Sequence, residues 1–333
     1  MPSASAEVRE CRSAEVLVTT LVELDAIHRA RQRIAPAVRV TPLMLASSAD
    51  AWAHLWLKCE NLQAGGAFKL RGAFNFVSQL DPAVRARGVV TYSSGNHGQA
   101  IALAARRLGA PALVVMPTTA PAVKVDGAKA FGAEVQFAGT TSIDRKVAAE
   151  AIAAERGLTI VPPFDHVDII AGQGTVGVEI VEQRPNVTAV YVPMGGGGLV
   201  AGVAAAIKRL APSVRVVGVE PAGAPKMTRS LAAGAPTTLE AVDSIADGLL
   251  AVRPGDITFA HVRALVDEVT TVTDDEIRDA MRFLVEHAKV VAEPSGAAAV
   301  AGALRLAPAG SRGVHVAIVS GGNLEMAMLR GVL

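Results

Sequence analysis

Residues 89–116 read VVTYSSGNHGQAIALAARRLGAPALVVM: an apolar run, a polar turn, an alanine-rich stretch, a glycine and a second apolar run. Val89 to Tyr92 and Ala112 to Met116 have the length and β-branched content of buried strands, and Gln99 to Leu108 has a helical composition. Gly109 stands where such a helix is expected to stop. The stretch therefore predicts a β-α-β unit with two parallel strands.

The same alternation continues on both sides of this unit. Further strands are predicted at 54–60, 134–137, 158–161, 187–192, 214–220 and 314–319, and further helices at 22–34, 123–131, 142–156, 170–183, 199–210, 274–287 and 295–306. Repeated β-α units with short loops predict an α/β protein made of two three-layer α/β/α subdomains with mostly parallel sheets. We expect a flexible tail at 1–18, a small mobile domain at 88–165, and a large domain formed by 19–87 and 166–333.

Composition excludes several classes of function. The formal net charge is +1, so the sequence gives no reason to expect nucleic acid or an anionic membrane as a partner. The two cysteines, Cys11 and Cys59, cannot build a disulfide framework or a metal site. We find no signal peptide and no apolar run long enough to span a bilayer, and we expect a cytoplasmic protein.

A lysine lies at the centre of residues 65–73, GGAFKLRGA, directly after a predicted strand. An amine enclosed by apolar neighbours has a lowered pKa and can form a Schiff base with an aldehyde. By itself, Lys69 could equally begin a helix and point to water.

Three other turns follow predicted strands. The run Gly195 to Gly198 opens a helix and can cradle a phosphate, although helix packing or a dinucleotide site with Glu220 would also use glycines. The turn 93–98, SSGNHG, suits a carboxylate, or is an ordinary helix cap. The turn 320–323, SGGN, ends the last strand, where ligands of open α/β sheets bind. Together with Lys69, these turns predict a site for pyridoxal phosphate and an amino acid.

In this combination the chain resembles the serine/threonine dehydratase and serine racemase family, which are fold-type II (tryptophan synthase β-like) pyridoxal phosphate enzymes. The resemblance rests on AFKLRGA at 67–73, SGNH at 94–97, the tetraglycine run, ADGL at 246–249 and SGGN at 320–323, in the order typical of the family. It covers the chain from about residue 25 to its end.

The resemblance implies a role for each motif. Lys69 would be the catalytic lysine that binds the cofactor and moves the Cα proton, and Ser320 would meet the ring nitrogen. Cofactor contacts are implied for Phe68, Lys69, Asn96, Gly195, Gly196, Gly197, Gly198, Leu199 and Ser320. Substrate carboxylate contacts are implied for Ser93, Gly95, Asn96, His97 and Arg145, although Arg145 could equally be a solvated arginine on a helix face.

Ser94 and Lys226 bear on which reaction is expected. Racemase-like members carry a serine at the position of Ser94 as a second catalytic acid/base opposite the lysine, but Ser94 could also only hydrogen-bond within its turn. Lys226 stands where racemase-like members have an aspartate that binds a divalent cation together with the residues matching Glu220 and Ala224. We therefore expect no metal, with the Lys226 ammonium in its place.

The resemblance implies an ammonia-lyase that eliminates water from a β-hydroxy-α-amino acid, most simply L-serine or L-threonine, to give a 2-oxo acid and ammonia. The alternatives are a serine racemase, a dehydratase of 3-hydroxyaspartate or phenylserine, and, from another class, an NAD(P)-dependent oxidoreductase, which would leave Lys69 without a purpose. A homodimer is expected.

Overall fold

The computed structural model describes residues 21–47, 49–93, 95–120 and 122–332. The strands in these residues are β1 (Leu43–Leu45), β2 (Leu55–Cys59), β3 (Val89–Tyr92), β4 (Ala112–Met116), β5 (Glu134–Phe137), β6 (Thr159–Ile160), β7 (Ala189–Pro193), β8 (Arg215–Pro221), β9 (Glu268–Val272) and β10 (His315–Val319). The helices are α1 (Leu24–Ile34), α2 (Leu70–Ser78), α3 (Pro82–Arg87), α4 (Asn96–Arg107), α5 (Ala122–Ala130), α6 (Ser142–Arg156), α7 (Val167–Gln183), α8 (Gly198–Leu210), α9 (Lys226–Ala233), α10 (Asp256–Leu265), α11 (Asp274–Phe283), α12 (Pro294–Leu306) and α13 (Met326–Val332).

The larger sheet has six strands in the order β1-β2-β10-β7-β8-β9, and only the β1–β2 pair is antiparallel. Successive side chains of a strand point to opposite faces. Accordingly, Val190 and Val192 of β7 pack into a core shared with α7, α8 and α10, whereas Tyr191 packs into a core shared with α11 and α12. The sheet is therefore covered by helices on both faces.

The smaller sheet has four parallel strands in the order β5-β4-β3-β6. Val114 and Met116 of β4 pack toward α4 and α5, and Leu113 and Val115 pack toward α6. All four strands lie between residues 88 and 165, and the strands of the larger sheet lie outside that range. The predicted α/β class with two three-layer units is confirmed. The mobility of 88–165 stays a prediction, and the predicted tail at 1–18 lies outside the described residues.

The main differences from the predicted elements fall between β8 and α12. No helix or strand was predicted within residues 221–273, where the structure has α9, α10 and β9. Because β9 is an edge strand whose first four residues are only partly buried, its sequence lacks the apolar run of a central strand. The helix predicted at 274–287 is α-helical up to Phe283 and then continues as one π-helical turn, Leu284–Ala288, which ends at Lys289 with a φ of +58°.

None of the helices in the described residues is long and apolar enough to cross a bilayer.

Candidate active site

The predicted motifs lie where strands of both sheets end. The glycine run follows β7, Ser320 follows β10, and Ser93 follows β3. Strands β7 and β10 are parallel neighbours, so their carboxyl ends lie at the same edge of the larger sheet. Ligands of open parallel sheets bind in the crevice at this edge.

Backbone hydrogen bonds join the lysine loop to the turn after β10. The Phe68 N–H donates to the Ser320 carbonyl at 3.1 Å, and the Gly322 N–H donates to the Gly66 carbonyl at 2.9 Å. Gly66 has a φ of +75°, a left-handed conformation that glycine adopts without strain. The two motifs, which lie at opposite ends of the chain, therefore form one unit that fixes the start of α2.

Lys69 directly precedes α2, and its amine is enclosed by the protein. The Lys69 Nζ donates to the Pro163 carbonyl at 2.9 Å and lies 5.2 Å from the centre of the Phe68 ring. Burial disfavours the charged ammonium and lowers the pKa of Lys69 to about 8. The amine is therefore far more often neutral, and so nucleophilic, than that of an exposed lysine.

The glycine run presents backbone donors. Within the described residues, no oxygen accepts a hydrogen bond from the backbone N–H groups of residues 195–199. The Gly196 carbonyl is instead held from outside by the Thr258 hydroxyl at 2.6 Å, and Gly197 has a φ of +99°. These free donors lie at the N-terminus of α8, where the helix dipole favours an anion. The loop is therefore suited to a phosphate.

Close packing also explains part of the glycine content of this loop. A Cβ atom at Gly196 would overlap the ring of Phe164, and one at Gly198 would lie 3.0 Å from the Phe164 Cβ. A Cβ at Gly195 would lie 3.0 Å from the Gly248 carbonyl oxygen. The glycines thus admit Phe164 on one side and leave the backbone N–H groups free, so packing accounts for part of the run and its role as a phosphate cradle stays a prediction.

The turn after β3 leads into α4. The Ser93 hydroxyl accepts a hydrogen bond from the Gly95 N–H at 3.1 Å, while Ser94 lies outside the described residues. His97 is buried, and burial together with the nearby Lys69 lowers the pKa of its imidazole to about 3. The His97 ring is therefore neutral and cannot supply a positive charge to a carboxylate.

A cluster of polar side chains connects this turn to the larger sheet. The Asn96 Nδ2 donates to the Glu293 Oε1 at 2.5 Å, and the Glu293 Oε2 lies 3.9 Å from the Lys124 Nζ. Lys124 also pairs with Asp247 and lies against Gly95. Asn96, Gly95 and Lys124 belong to the smaller unit, whereas Glu293 and Asp247 belong to the larger one. The cluster therefore spans the crevice.

The sequence assigned no role to Glu293, Lys124 or Asp247. Burial raises the pKa of Glu293 to about 7. The available signal was weak: Glu293 is a lone carboxylate before Pro294 and Ser295, a pattern that ordinarily indicates a helix N-cap. The clue would have been a carboxylate within a segment of otherwise small and apolar residues.

Arg145 is not brought into the cluster. It lies on α6, and the hydrogen bond recorded for its guanidinium within the described residues goes to the Thr140 carbonyl at 3.2 Å. Among the described residues, no hydrogen bond joins Arg145 to Ser93, Gly95, Asn96 or His97. A substrate role for Arg145 therefore stays a prediction.

Lys226 lies in the pocket that the sequence predicted for it. Its ammonium is 3.3 Å from the Glu220 Oε2, 2.9 Å from the Ala224 carbonyl and 3.1 Å from the Met194 carbonyl, and both charged side chains are fully buried. Glu220 also accepts hydrogen bonds from the backbone N–H groups of Met227 and Thr228. The Lys226 ammonium thus donates hydrogen bonds to three oxygens at this position.

We expect neither Mg²⁺ nor EDTA to change the melting temperature or the activity of this chain, because the Lys226 ammonium already neutralises Glu220. The Lys226→Asp variant is the matched control: it removes the ammonium and adds a carboxylate, so Mg²⁺ should raise its melting temperature. Calorimetry with and without each reagent measures the melting temperatures of the unaltered chain and of the variant. Activation of the unaltered chain by Mg²⁺ bound at Glu220 would contradict the assignment.

These residues fit pyridoxal 5'-phosphate. The buried amine of Lys69 can bind an aldehyde, and the N–H groups of residues 195–199 can bind the phosphate. Asn96 has one Nδ2 hydrogen that no described residue takes up, and the buried Ser320 hydroxyl makes only a long contact of 3.4 Å, to the Ser295 carbonyl. A ring hydroxyl and a ring nitrogen could satisfy these two groups.

The rate at which the cofactor-free chain binds pyridoxal 5'-phosphate is expected to rise with pH through about 8 and then level off. Only the neutral amine attacks the aldehyde, and below its pKa the Lys69 amine is protonated. Stopped-flow absorbance at a series of pH values measures this rate. A rate that rises all the way to the ordinary lysine pKa of 10.5 would show that Lys69 is not perturbed.

Comparisons with known proteins agree with this geometry. The profile of a family described as "Pyridoxal-phosphate dependent enzyme" matches residues 34–321. The chain is 43% identical to a serine racemase of Oryza sativa subsp. indica over 92% of both chains. It is 41% identical to an L-threonine ammonia-lyase of Thermotoga maritima, over 94% of this chain and 78% of the relative.

A solved structure of maize serine racemase superimposes with a TM-score of 0.88 at 41% identity, covering 94% of this chain and 97% of the other. The fold is therefore the fold-type II architecture that the sequence predicted, and the cofactor is pyridoxal 5'-phosphate. The chain belongs to the family of pyridoxal-phosphate-dependent enzymes, among relatives that are serine racemases and threonine ammonia-lyases.

Proposed function

We propose that the chain is an ammonia-lyase that removes water from L-serine or L-threonine and yields a 2-oxo acid and ammonia. The observation that carries this proposal is the desolvated, readily deprotonated amine of Lys69 in the same crevice as the buried hydroxyl group of Ser320. The amine can take the Cα proton. A neutral hydroxyl at the ring nitrogen does not hold that nitrogen protonated as a carboxylate would, which favours prompt loss of the β-hydroxyl group.

Each group in the crevice has a distinct task in this reaction. The N–H groups of residues 195–199 would hold the phosphate, and Asn96 would donate a hydrogen bond to the ring oxygen. The turn formed by Ser93, Gly95 and the start of α4 binds the substrate carboxylate. Phe68 packs near the cofactor ring. Pyridoxal 5'-phosphate supplies the electron sink that makes the Cα proton acidic.

The proposed elimination accounts for every proton and for the leaving hydroxyl group. Lys69 takes the proton from Cα, the electron pair of that bond forms the Cα–Cβ double bond, and the β-hydroxyl leaves as water when Lys69 gives the proton to it. The released enamine gains a proton at Cβ and is hydrolysed to the 2-oxo acid and ammonia. No oxidant or reductant is needed.

A serine racemase on the same residues is the second candidate, and the identity of 43% to a serine racemase favours it. Racemisation needs a second acid/base on the face opposite Lys69, and we propose Ser94 for that role. Ser94→Ala should then abolish racemisation and the turnover of D-serine while elimination from L-serine continues. Unchanged racemisation in that variant would remove Ser94 from the mechanism.

One incubation separates these reactions. The chain loaded with cofactor is mixed separately with L-serine, D-serine, L-threonine and 3-hydroxyaspartate, and both the 2-oxo acid and the enantiomer are measured. We expect 2-oxo acid from L-serine or L-threonine as the main product. Accumulation of the opposite enantiomer with little 2-oxo acid would instead identify a racemase, and product from 3-hydroxyaspartate alone would change the substrate. The homodimer and the cytoplasmic location stay predictions.

A further inference from the structure

Three hydrogen-bonded side chains, those of Asn323, Asn96 and Glu293, connect the lysine loop to the start of α12. Three oxygens surround the Asn323 Nδ2: the Gly65 carbonyl at 2.8 Å, the Asn96 Oδ1 at 3.0 Å and the Gln99 Oε1 at 3.4 Å. The Nδ2 of Asn96 donates in turn to the Glu293 Oε1 at 2.5 Å. Asn96 is thus held at both ends of its amide, by an amide donor on one side and a carboxyl acceptor on the other.

The direction of these hydrogen bonds is set by the Gly65 carbonyl, which cannot become a donor. A backbone carbonyl only accepts hydrogen bonds, so the NH₂ group of Asn323, and not its oxygen, must face Gly65. The same NH₂ group then requires the oxygen of Asn96 on its other side. Rotating the Asn96 amide by half a turn would place NH₂ against NH₂ at Asn323 and oxygen against oxygen at Glu293.

We propose that Asn323 and Glu293 are positioning residues that fix the orientation of the Asn96 amide, so that Asn96 donates a hydrogen bond to the ring oxygen of the cofactor. This inference rests on the place that the proposed function gives to Asn96. It assigns to Asn323, the last residue of the turn after β10, a function separate from that of Ser320.

Glycines on both sides make room for this arrangement. A Cβ atom at Gly66 would overlap the Asn323 amide, and a Cβ atom at Gly321 would overlap the Glu293 carboxyl and lie 3.1 Å from the Asn96 Nδ2. The glycines before Lys69 and after Ser320 therefore do more than turn the chain. They allow the two groups that orient Asn96 to approach it.

The decisive variant is Asn323→Asp. It is nearly isosteric, but a carboxylate accepts hydrogen bonds and cannot donate to the Gly65 carbonyl or to the Asn96 oxygen. In this variant, Asn96 should turn its NH₂ group toward the introduced carboxylate and its oxygen toward the ring. The ring oxygen would have to be protonated to donate to it, so the absorbance of the bound cofactor should move from the yellow band to the near-ultraviolet band.

Affinity for the cofactor gives a second readout. Titration of the cofactor-free Asn323→Asp chain with pyridoxal 5'-phosphate should show binding weakened about tenfold, the order expected when one hydrogen bond is lost. Asn96→Ala should weaken binding to a similar extent. The double variant should be no weaker than Asn96→Ala alone, because Asn323 acts through Asn96.

Asn61→Asp is the matched control. The Asn61 Nδ2 also donates to a backbone carbonyl, that of Val291 at 3.0 Å, and Asn61 packs beside Gly322, while no hydrogen bond within the described residues joins it to Asn96. It should retain the yellow band and the affinity of the unaltered chain. Asn323→Ala, which adds no charge, should show a smaller shift in the same direction, and it replaces Asn323→Asp if that variant does not fold.

A merely structural Asn323 predicts a different pattern. Its variants would then melt at lower temperature yet keep the yellow band, or their losses of affinity would add to that of Asn96→Ala, and either result overturns the proposal. These readouts need only bound cofactor. They are therefore independent of whether the enzyme eliminates or racemises its substrate, which the product assay decides.

Discussion

Replacement of Lys69 by alanine is expected to give a folded, colourless chain whose turnover is at least about 10³-fold slower. Two functions are lost together, because the amine both anchors the cofactor and moves the Cα proton. The amine is well prepared for both: it is enclosed, its pKa is lowered to about 8, and it is held by the Pro163 carbonyl. Visible absorbance and a 2-oxo acid assay measure the two losses.

A lysine elsewhere on the surface serves as the control. The side chain of Lys146 is 56% exposed and lies in an ion pair with Glu150 on α6. Lys146→Ala should remain yellow and fully active. If Lys69→Ala resembled Lys146→Ala in colour and turnover, the catalytic assignment of Lys69 would be wrong.

The second large effect is expected for stability, at a group of buried charges behind the lysine loop. Arg71 donates to both oxygens of Glu60 at 2.8 Å and to both oxygens of Glu179 at 2.6 and 2.9 Å. Lys58 donates to the Glu179 Oε2 at 2.5 Å. The four side chains are at most 3% exposed. Two cations and two anions thus balance in the interior.

Glu179→Ala should lower the free energy of unfolding by about 3–5 kcal/mol, the cost of leaving a buried charge without its partner. Of its partners among the described residues, Lys58 would keep the Thr41 carbonyl and the side chain of Gln183, and the group would carry a net positive charge. Urea unfolding of the cofactor-loaded chain, followed by circular dichroism, measures the change.

Glu182→Ala is the control on the same helix. Glu182 pairs with Arg31 at the surface, where the two side chains are 50% and 36% exposed, so its loss should cost less than about 1 kcal/mol. Equal effects of the two variants would mean that the buried charges do not depend on Glu179 for their balance.

The sequence predicted what local patterns determine. Short β-branched runs gave the central strands, glycines marked the helix ends, and the glycine run indicated a phosphate cradle whose free donors the structure contains. The edge strand β9 was missed although Val269 to Val272 are all β-branched, because its two threonines interrupt the apolar run that marked the central strands.

The contacts that complete the site could not be predicted from spacing. Glu293 meets Asn96 across 197 positions, and Glu179 meets Arg71 across 108. Neither carboxylate differs locally from a helix cap or a surface charge. Only the fold brings them to their partners. The Lys226–Glu220 pair, six positions apart, was expected from the family resemblance, and the short turn between β8 and α9 lets the two side chains meet.

Reduction of the loaded chain with borohydride, followed by peptide mapping, tests the central assignment most directly. Borohydride converts the linkage between a lysine and pyridoxal 5'-phosphate into a stable amine, so the modified residue can be identified by mass. We predict that the yellow colour bleaches and that the label is found on Lys69. A label on another lysine, or bleaching without any labelled peptide, would contradict it.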